Sequence, residues 1–241
     1  MEVSLSAEKL FNIGPFPVTN SMLTTWVVTL ILLAFAFFAT RNVKAVPNTL
    51  QNIAEIMVDS LEGLVSSIAE GKTKVFLPII STFFFFILFG NYFGLLPGVG
   101  SIGFFEHGKF VPFLRGVNAD LNTTLGLAIV SVVITHYLAV KYLGFKNYLG
   151  KFFSLNPIFL FVGILELFGE LTKIASLSFR LFGNIFAGEV LLTTATTTIF
   201  AYIVPIPFYF LEFLVAFVQA LIFSMLTLVF MVILTEKHAE H

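Results

Sequence analysis

Between residues 23 and 39 the chain carries no charged side chain. A run of that length is about what a helix needs to cross a hydrocarbon core roughly 30 Å thick. Comparable apolar runs occupy residues 75–96 and 119–142, and a longer apolar tract fills most of 157–235. Composition agrees with lipid as the solvent: 58% of the 241 residues are hydrophobic, 11% are charged, and the mean hydropathy is +0.98. Soluble chains carry about 25% charged residues. The net charge of −1 argues against nucleic acid as a partner, which needs a concentrated basic surface. The absence of cysteine excludes a disulfide framework, a thiolate metal site and a cysteine nucleophile.

The expected architecture is an all-α membrane protein with five crossings, one membrane-surface helix and a long terminal hairpin. Residues 1–22 carry Glu2, Glu8 and Lys9 among scattered prolines, unlike a basic segment with a short apolar core, so no cleaved signal is expected. The first span is 23–39. Over 47–70 the apolar residues Leu50, Ile53, Met57, Leu61, Leu64 and Ile68 recur every three or four positions, with Glu55, Asp59, Glu62 and Glu70 opposite. That spacing predicts a helix lying on the membrane surface, or packed on a partner. Residues 75–96 form the second span, 97–118 an extramembrane loop and 119–142 the third span, with Asp120 or Asn118 as its cap. Fully helical, 157–201 would measure roughly 65 Å at ~1.5 Å per residue, about twice a bilayer core, so it must tilt, kink or protrude. Pro205 and Pro207 make the turn, and 208–235 completes the hairpin.

Loop cations set the orientation. Arg41, Lys44, Lys72, Lys74, Lys141, Lys146, Lys151 and Lys237 fall on one side of a five-span chain, and only Lys9, Lys109 and Arg115 on the other. The N-terminus is therefore expected outside and the C-terminus in the cytoplasm, with a bacterial inner membrane as the address.

The hairpin contains Glu166, Glu170, Lys173, Arg180, Glu189, Glu212 and Gln219 within apolar sequence. An ionisable group at membrane depth costs about 2.5–3.5 kcal/mol on insertion scales and is a functional hypothesis by default. At 100° per residue Arg180 and Asn184 share a helix face, with Lys173 and Glu166 nearly in line below, while Glu189 points to the opposite side. Glu212 and Gln219, seven residues apart, share a face of the last helix. Two offset polar tracks with a permanent cation between them suit a proton device, because Glu and water pass protons and Arg does not. Gly183, Ala187 and Gly188 leave room for another helix. The plainer readings are an ion-pair cluster of Glu166, Glu170 and Lys173, hairpin-holding roles for Glu189 and Glu212, an interhelical hydrogen bond from Gln219, and a capping role for Asp120.

The stretch Ser178-Phe179-Arg180-Leu181-Phe182-Gly183-Asn184-Ile185-Phe186-Ala187-Gly188-Glu189 resembles the signature of the F-type ATP synthase subunit a family. Asn91-Tyr92-Phe93-Gly94-Leu95-Leu96-Pro97, Ala119-Asp120-Leu121-Asn122-Thr123-Thr124 and Gln219 follow the family's order. The resemblance implies a non-catalytic, proton-conducting stator subunit beside a ring of c subunits, with peripheral-stalk b subunits as further partners. It implies that Arg180 faces the ring carboxylate and that Asn184 and Gln219 flank it. Glu189 would belong to the outer half-channel, and Glu166, Lys173 and Ser176 to the cytoplasmic one. Glu212 stands where many members have His and others a carboxylate, and Asp120 joins the candidate pathway. No cofactor or metal is implied.

Three other readings remain in view. A sodium-driven version of the same subunit differs in the ring, which is not in this sequence. An independent secondary transporter predicts inverted repeats and broken helices, which are not visible. A purely structural scaffold leaves Arg180 without a role. With no full phosphate-cradling Gly-x-x-x-x-Gly-Lys-Ser/Thr loop, nucleotide chemistry is expected on other subunits.

Overall fold

The computed structural model describes residues 7–96, 98–100, 102–106, 109–152, 157–196 and 204–236. Two short hairpins precede or interrupt the helices: β1 (Lys9–Ile13) with β2 (Phe16–Thr19), and β3 (Gly103–Glu106) with β4 (Lys109–Pro112), both antiparallel. The helices are α1 (Asn20–Thr40), α2 (Thr49–Ile68), α3 (Thr73–Gly94), α4 (Leu121–Leu143), α5 (Phe145–Phe152), α6 (Pro157–Thr196) and α7 (Pro205–Thr235), with a 3-10 turn at Val117–Ala119 before α4. Five of them, α1, α3, α4, α6 and α7, are long and apolar enough to cross a membrane.

Several boundaries differ from the sequence expectation for local reasons. Helix α7 begins at Pro205, not at 208, because the first helical turn has no use for the N–H groups that Pro205 and Pro207 lack. Helix α3 covers 73–94 rather than 75–96; its close is set by Gly94, which lies against Gly116 so tightly that an added Cβ would sit 3.0 Å from the Gly116 Cα. The loop expected over 97–118 contains a hairpin and the 3-10 turn, and the connector after the third span folds into α5. The expected helical stretch 197–201, the turn before 204 and Lys237 lie outside the described residues.

Helix α2 starts at an Asn48 cap, whose Oδ1 accepts from the Gln51 N–H at 2.8 Å. Its buried residues are Gln51, Leu61 and Val65, against α1, α3 and α7, whereas Leu50, Ile53, Leu64 and Ile68 remain exposed together with the acidic row. The predicted apolar stripe therefore splits. Part of it packs inside the bundle, and part faces outward beside α1, where Leu30, Leu33 and Phe37 are also exposed. In lipid such outward rows are ordinary; in water they would form an unusually large apolar patch.

The bundle core joins α3, α4, α6 and α7 through Phe83, Phe84, Ile87, Ala128, Leu177, Leu181 and Phe223. Hydroxyl and amide pairs cross the same interfaces. Ser131 and Thr227 lie 2.8 Å apart between α4 and α7, and Thr124 and Ser178 lie 3.2 Å apart between α4 and α6. Asn91 Nδ2 donates to the Ala216 carbonyl at 3.2 Å, from α3 to α7. Small hydroxyls allow close approach, and each interhelical bond of this kind is worth roughly 0.6–2 kcal/mol in a membrane. The Thr124–Ser178 bond ties α6 to α4, and α6 carries most of the candidate site. At 40 residues it is ~60 Å long, so it exceeds a single perpendicular crossing.

Candidate functional site

Two spaces with ionisable side chains in their walls flank α6. The first, of about 310 Å³, lies at the end of the bundle nearest the two hairpins and is lined in part by Glu8, Asn20, Asn91, Arg115, Glu189 and Glu212. Its construction begins with Asn20, the first residue of α1. Asn20 Oδ1 accepts from the Glu8 N–H at 3.2 Å and Nδ2 donates to the Pro112 carbonyl at 3.3 Å, so one buried side chain ties both hairpins to the helix. One turn later Thr24 Oγ1 accepts the Arg115 backbone N–H at 3.1 Å. That anchors the segment from which the Arg115 side chain reaches α6. There Arg115 Nη2 and Nε each lie 3.4 Å from Glu189 Oε2. The Arg115 side chain is 5% exposed and that of Glu189 33%, and the pair forms part of the cavity wall.

Glu212 enters from α7 and is buried. Its carboxylate packs on Gly188, where a Cβ would overlap it. The room that Gly188 leaves for another helix is thus taken by Glu212 of α7. Gly183, by contrast, has nothing within 4 Å of a Cβ position, and Ala187 and Asn184 are exposed beside it.

The second space is an open groove of about 340 Å³ at the other end of the bundle, lined by Lys173, Ser176, Arg180, Leu226 and Phe230 among others. Arg180 is exposed, and its Nη2 donates to Ser176 Oγ one turn back at 3.4 Å. Lys173 Nζ bonds Glu170 Oε1 at 2.7 Å and sits 4.8 Å from the Phe230 ring centroid, which fixes the ammonium against α7. Glu170 Oε2 meets His136 Nε2 of α4 at 3.3 Å, and His136 Nδ1 meets Tyr148 Oη of α5 at 2.9 Å. Beside them, burial raises the Tyr148 phenol above its ordinary range, with the charges of Glu170 and then Glu166 adding to the effect.

The predicted residues thus divide into groups. Glu189 and Glu212 share the first cavity, and Lys173, Ser176 and Arg180 share the groove. Asn184 shares the exposed face with Arg180 but lines neither space, and Glu166 lies one turn of α6 before Glu170. Gln219 is buried in α7, and the hydrogen bond of Arg180 runs to Ser176 rather than to it. Asp120 caps α4: its Oδ1 accepts from the Asn122 N–H at 3.1 Å and from Asn122 Nδ2 at 3.3 Å. Asn118, the other candidate cap, instead donates to Asn91 Oδ1 at 2.7 Å.

Sequence reasoning missed Arg115, Asn20, Asn91, His136 and Tyr148 as parts of these sites. Arg115 read as a solvated loop cation and served only for orientation. Its pairing with Glu189 spans 74 positions and leaves no periodic trace. His136 alone carried a usable signal, as an ionisable residue inside an otherwise apolar span.

The family model described as ATP synthase A chain matches residues 22–232. The chain is 34% identical to ATP synthase subunit a of Gloeobacter violaceus, over 99% of this chain and 93% of that protein. It is 32% identical to the same-named protein of Syntrophobacter fumaroxidans, over 92% and 87%. Against that of Moorella thermoacetica it is 29% identical over 95% and 97%.

Proposed function

Because the chain belongs to the ATP synthase A chain family, we propose that it is the membrane stator subunit that carries protons to and from a ring of c subunits, with Arg180 between two half-channels. The observation that carries this reading is the position of Arg180. It is an exposed cation in the middle of an apolar helix, with a carboxylate-lined cavity toward one end and, at the other, an open groove that holds Lys173 and Ser176. The bare surface at Gly183 and Ala187 supports a close-packing helix there.

In the working cycle a proton passes from the outer cavity, by way of Glu189 and Glu212, to a carboxylate on the ring. The neutralised carboxylate turns through lipid and meets the groove at the far side, where it releases the proton toward Ser176 and Lys173. Arg180 attracts the ionised carboxylate but cannot take up its proton, because guanidinium stays protonated at any accessible pH. It therefore drives release and blocks a direct leak. Each charge crossing 100 mV is worth about 2.3 kcal/mol. An Arg–carboxylate pair at 4 Å is worth roughly 4 kcal/mol at an effective dielectric near 20. A dry, tight bridge would stall the rotor on that scale, so the contact is hydrated and loose.

The N-terminus lies outside and the C-terminus in the cytoplasm of a bacterial inner membrane, with peripheral-stalk b subunits as further partners. The cation bias supports this: Lys72 donates to the Thr235 carbonyl and hydroxyl at 3.1 and 2.9 Å, so the basic start of α3 and the end of α7 share one side.

ATP-driven proton uptake into inverted vesicles bearing Arg180→Ala tests the proposal, with passive leak recorded in parallel. Lost pumping in an assembled complex, with added leak, is the expected result. Near-normal pumping would sink it, and pumping that requires added sodium would reassign the ion.

A further inference from the structure

Beside the groove, side chains from α5, α4 and α6 form a continuous chain of polar contacts, of which the proposed cycle uses only Lys173. From Tyr148 the chain runs through both nitrogens of His136 to Glu170, and from Glu170 to Lys173, in steps of 2.9, 3.3 and 2.7 Å. It joins α5, α4 and α6, and Lys173 delivers it to the wall of the groove that also holds Ser176 and Arg180. His136 is 24% exposed and Glu170 11%, so water reaches the imidazole more readily than the carboxylate. A latch between helices needs only a donor and an acceptor, which an amide supplies. An imidazole with separate partners on its two nitrogens can also accept a proton on one and release one from the other.

We propose that His136 is a proton-transferring residue of this subunit, exchanging protons between water at the α5 end and Glu170, which is bonded to Lys173 of the groove, with Tyr148 as its positioning residue. The inference rests on the half-channel reading above. The charged and titratable groups facing His136 are Glu170 and, through it, Lys173 on α6, and Tyr148 on α5, with Glu166 near the phenol. In the resting arrangement the Tyr148 O–H donates to Nδ1 and Nε2–H donates to the ionised Glu170. A hydronium ion gives its proton to Nδ1 as the Tyr148 hydroxyl turns from donor to acceptor, leaving water and an imidazolium. The Nε2–H bond then breaks as an O–H bond forms on Glu170 Oε2, giving a neutral imidazole and a neutral carboxyl. Glu170 releases that proton to water beside Lys173 and regains its charge, and the ring regains its first tautomer through water, one molecule taking the Nδ1 proton as another supplies one to Nε2. Proton exit follows the same steps in reverse.

The test uses vesicles containing the whole synthase in weakly buffered medium, with rates expressed per assembled complex. His136→Gln, which keeps an amide donor for Glu170, and His136→Ala are each expected to slow ATP-driven pumping about 10-fold, below the 10²–10⁴ that a positioned acid–base group contributes because water in the groove supplies a parallel path. Added imidazole is expected to restore His136→Ala, which has a vacant ring site, and not His136→Gln. Wild-type rates in His136→Gln, or a slow His136→Ala that imidazole leaves unchanged, would overturn the relay. Arg180→Ala is measured alongside. If it abolishes pumping while His136→Gln pumps normally, only the relay fails. If it pumps normally, the half-channel reading fails as well.

Discussion

The Glu212 carboxylate of α7 rests on the backbone of Gly188 in α6, in the space that any other residue at 188 would fill with its Cβ. The pairing explains why a glycine stands inside a long helix, where it costs roughly 0.5–1 kcal/mol relative to alanine. It also couples the two helices at a buried acid in the first cavity.

Gly188→Ala is therefore expected to destabilise the bundle by about 1–3 kcal/mol through overpacking, despite its better helix propensity. Thermal unfolding in detergent reads the loss. The double variant Gly188→Ala with Glu212→Ala should recover most of it, because the added methyl then meets empty space. Purely additive losses would place the strain elsewhere.

Arg115 and Glu189 form a pair whose cation is almost fully enclosed. Removing Glu189 alone leaves that charge without its carboxylate, and breaking a buried pair costs up to ~3 kcal/mol or more. Glu189→Ala should therefore be less stable than the double variant with Arg115→Met, measured by the same unfolding assay. Equal stabilities would mean that the guanidinium is held by other interactions once Glu189 is gone.

Asp120 separates capping from proton transfer. Asp120→Asn retains a side-chain acceptor for the Asn122 N–H and is expected to keep both stability and pumping. Asp120→Ala should lose about 1 kcal/mol and still pump in complexes that assemble. If Asp120→Asn assembled but did not pump, a proton role would have to replace the cap.

Tyr148 gives a pH dependence with a definite sign. Burial first, then the Glu170 and Glu166 charges, raise its phenol above the ordinary value of 10.0. The folded state therefore holds this proton more tightly than the unfolded chain, and the contribution to stability is fully present below pH 10. It is lost as pH climbs through the folded value. Ultraviolet titration of phenolate, wild type minus Tyr148→Phe, should show one group ionising above the free-tyrosine range. A group ionising at or below that range would mean α5 is not packed on α6.

The bundle was legible in the sequence because lipid imposes a local requirement: enough consecutive apolar residues to cross the core, readable segment by segment at 23–39, 75–96 and 119–142. Arg180, Glu189 and Glu212 were legible for the same reason, since a charge inside such a run stands out on one helix alone, and helical spacing put Arg180 and Glu189 on opposite sides. Tertiary structure decided what these residues meet. Arg115 reaches Glu189 from a distant loop held by Thr24, Gly188 yields its space to Glu212, and Tyr148, His136 and Glu170 converge from three helices. Apolar length and helical phase are properties of neighbours in the chain. A hydrogen bond or ion pair between remote segments depends on how whole helices dock, and a single sequence carries no period that records it.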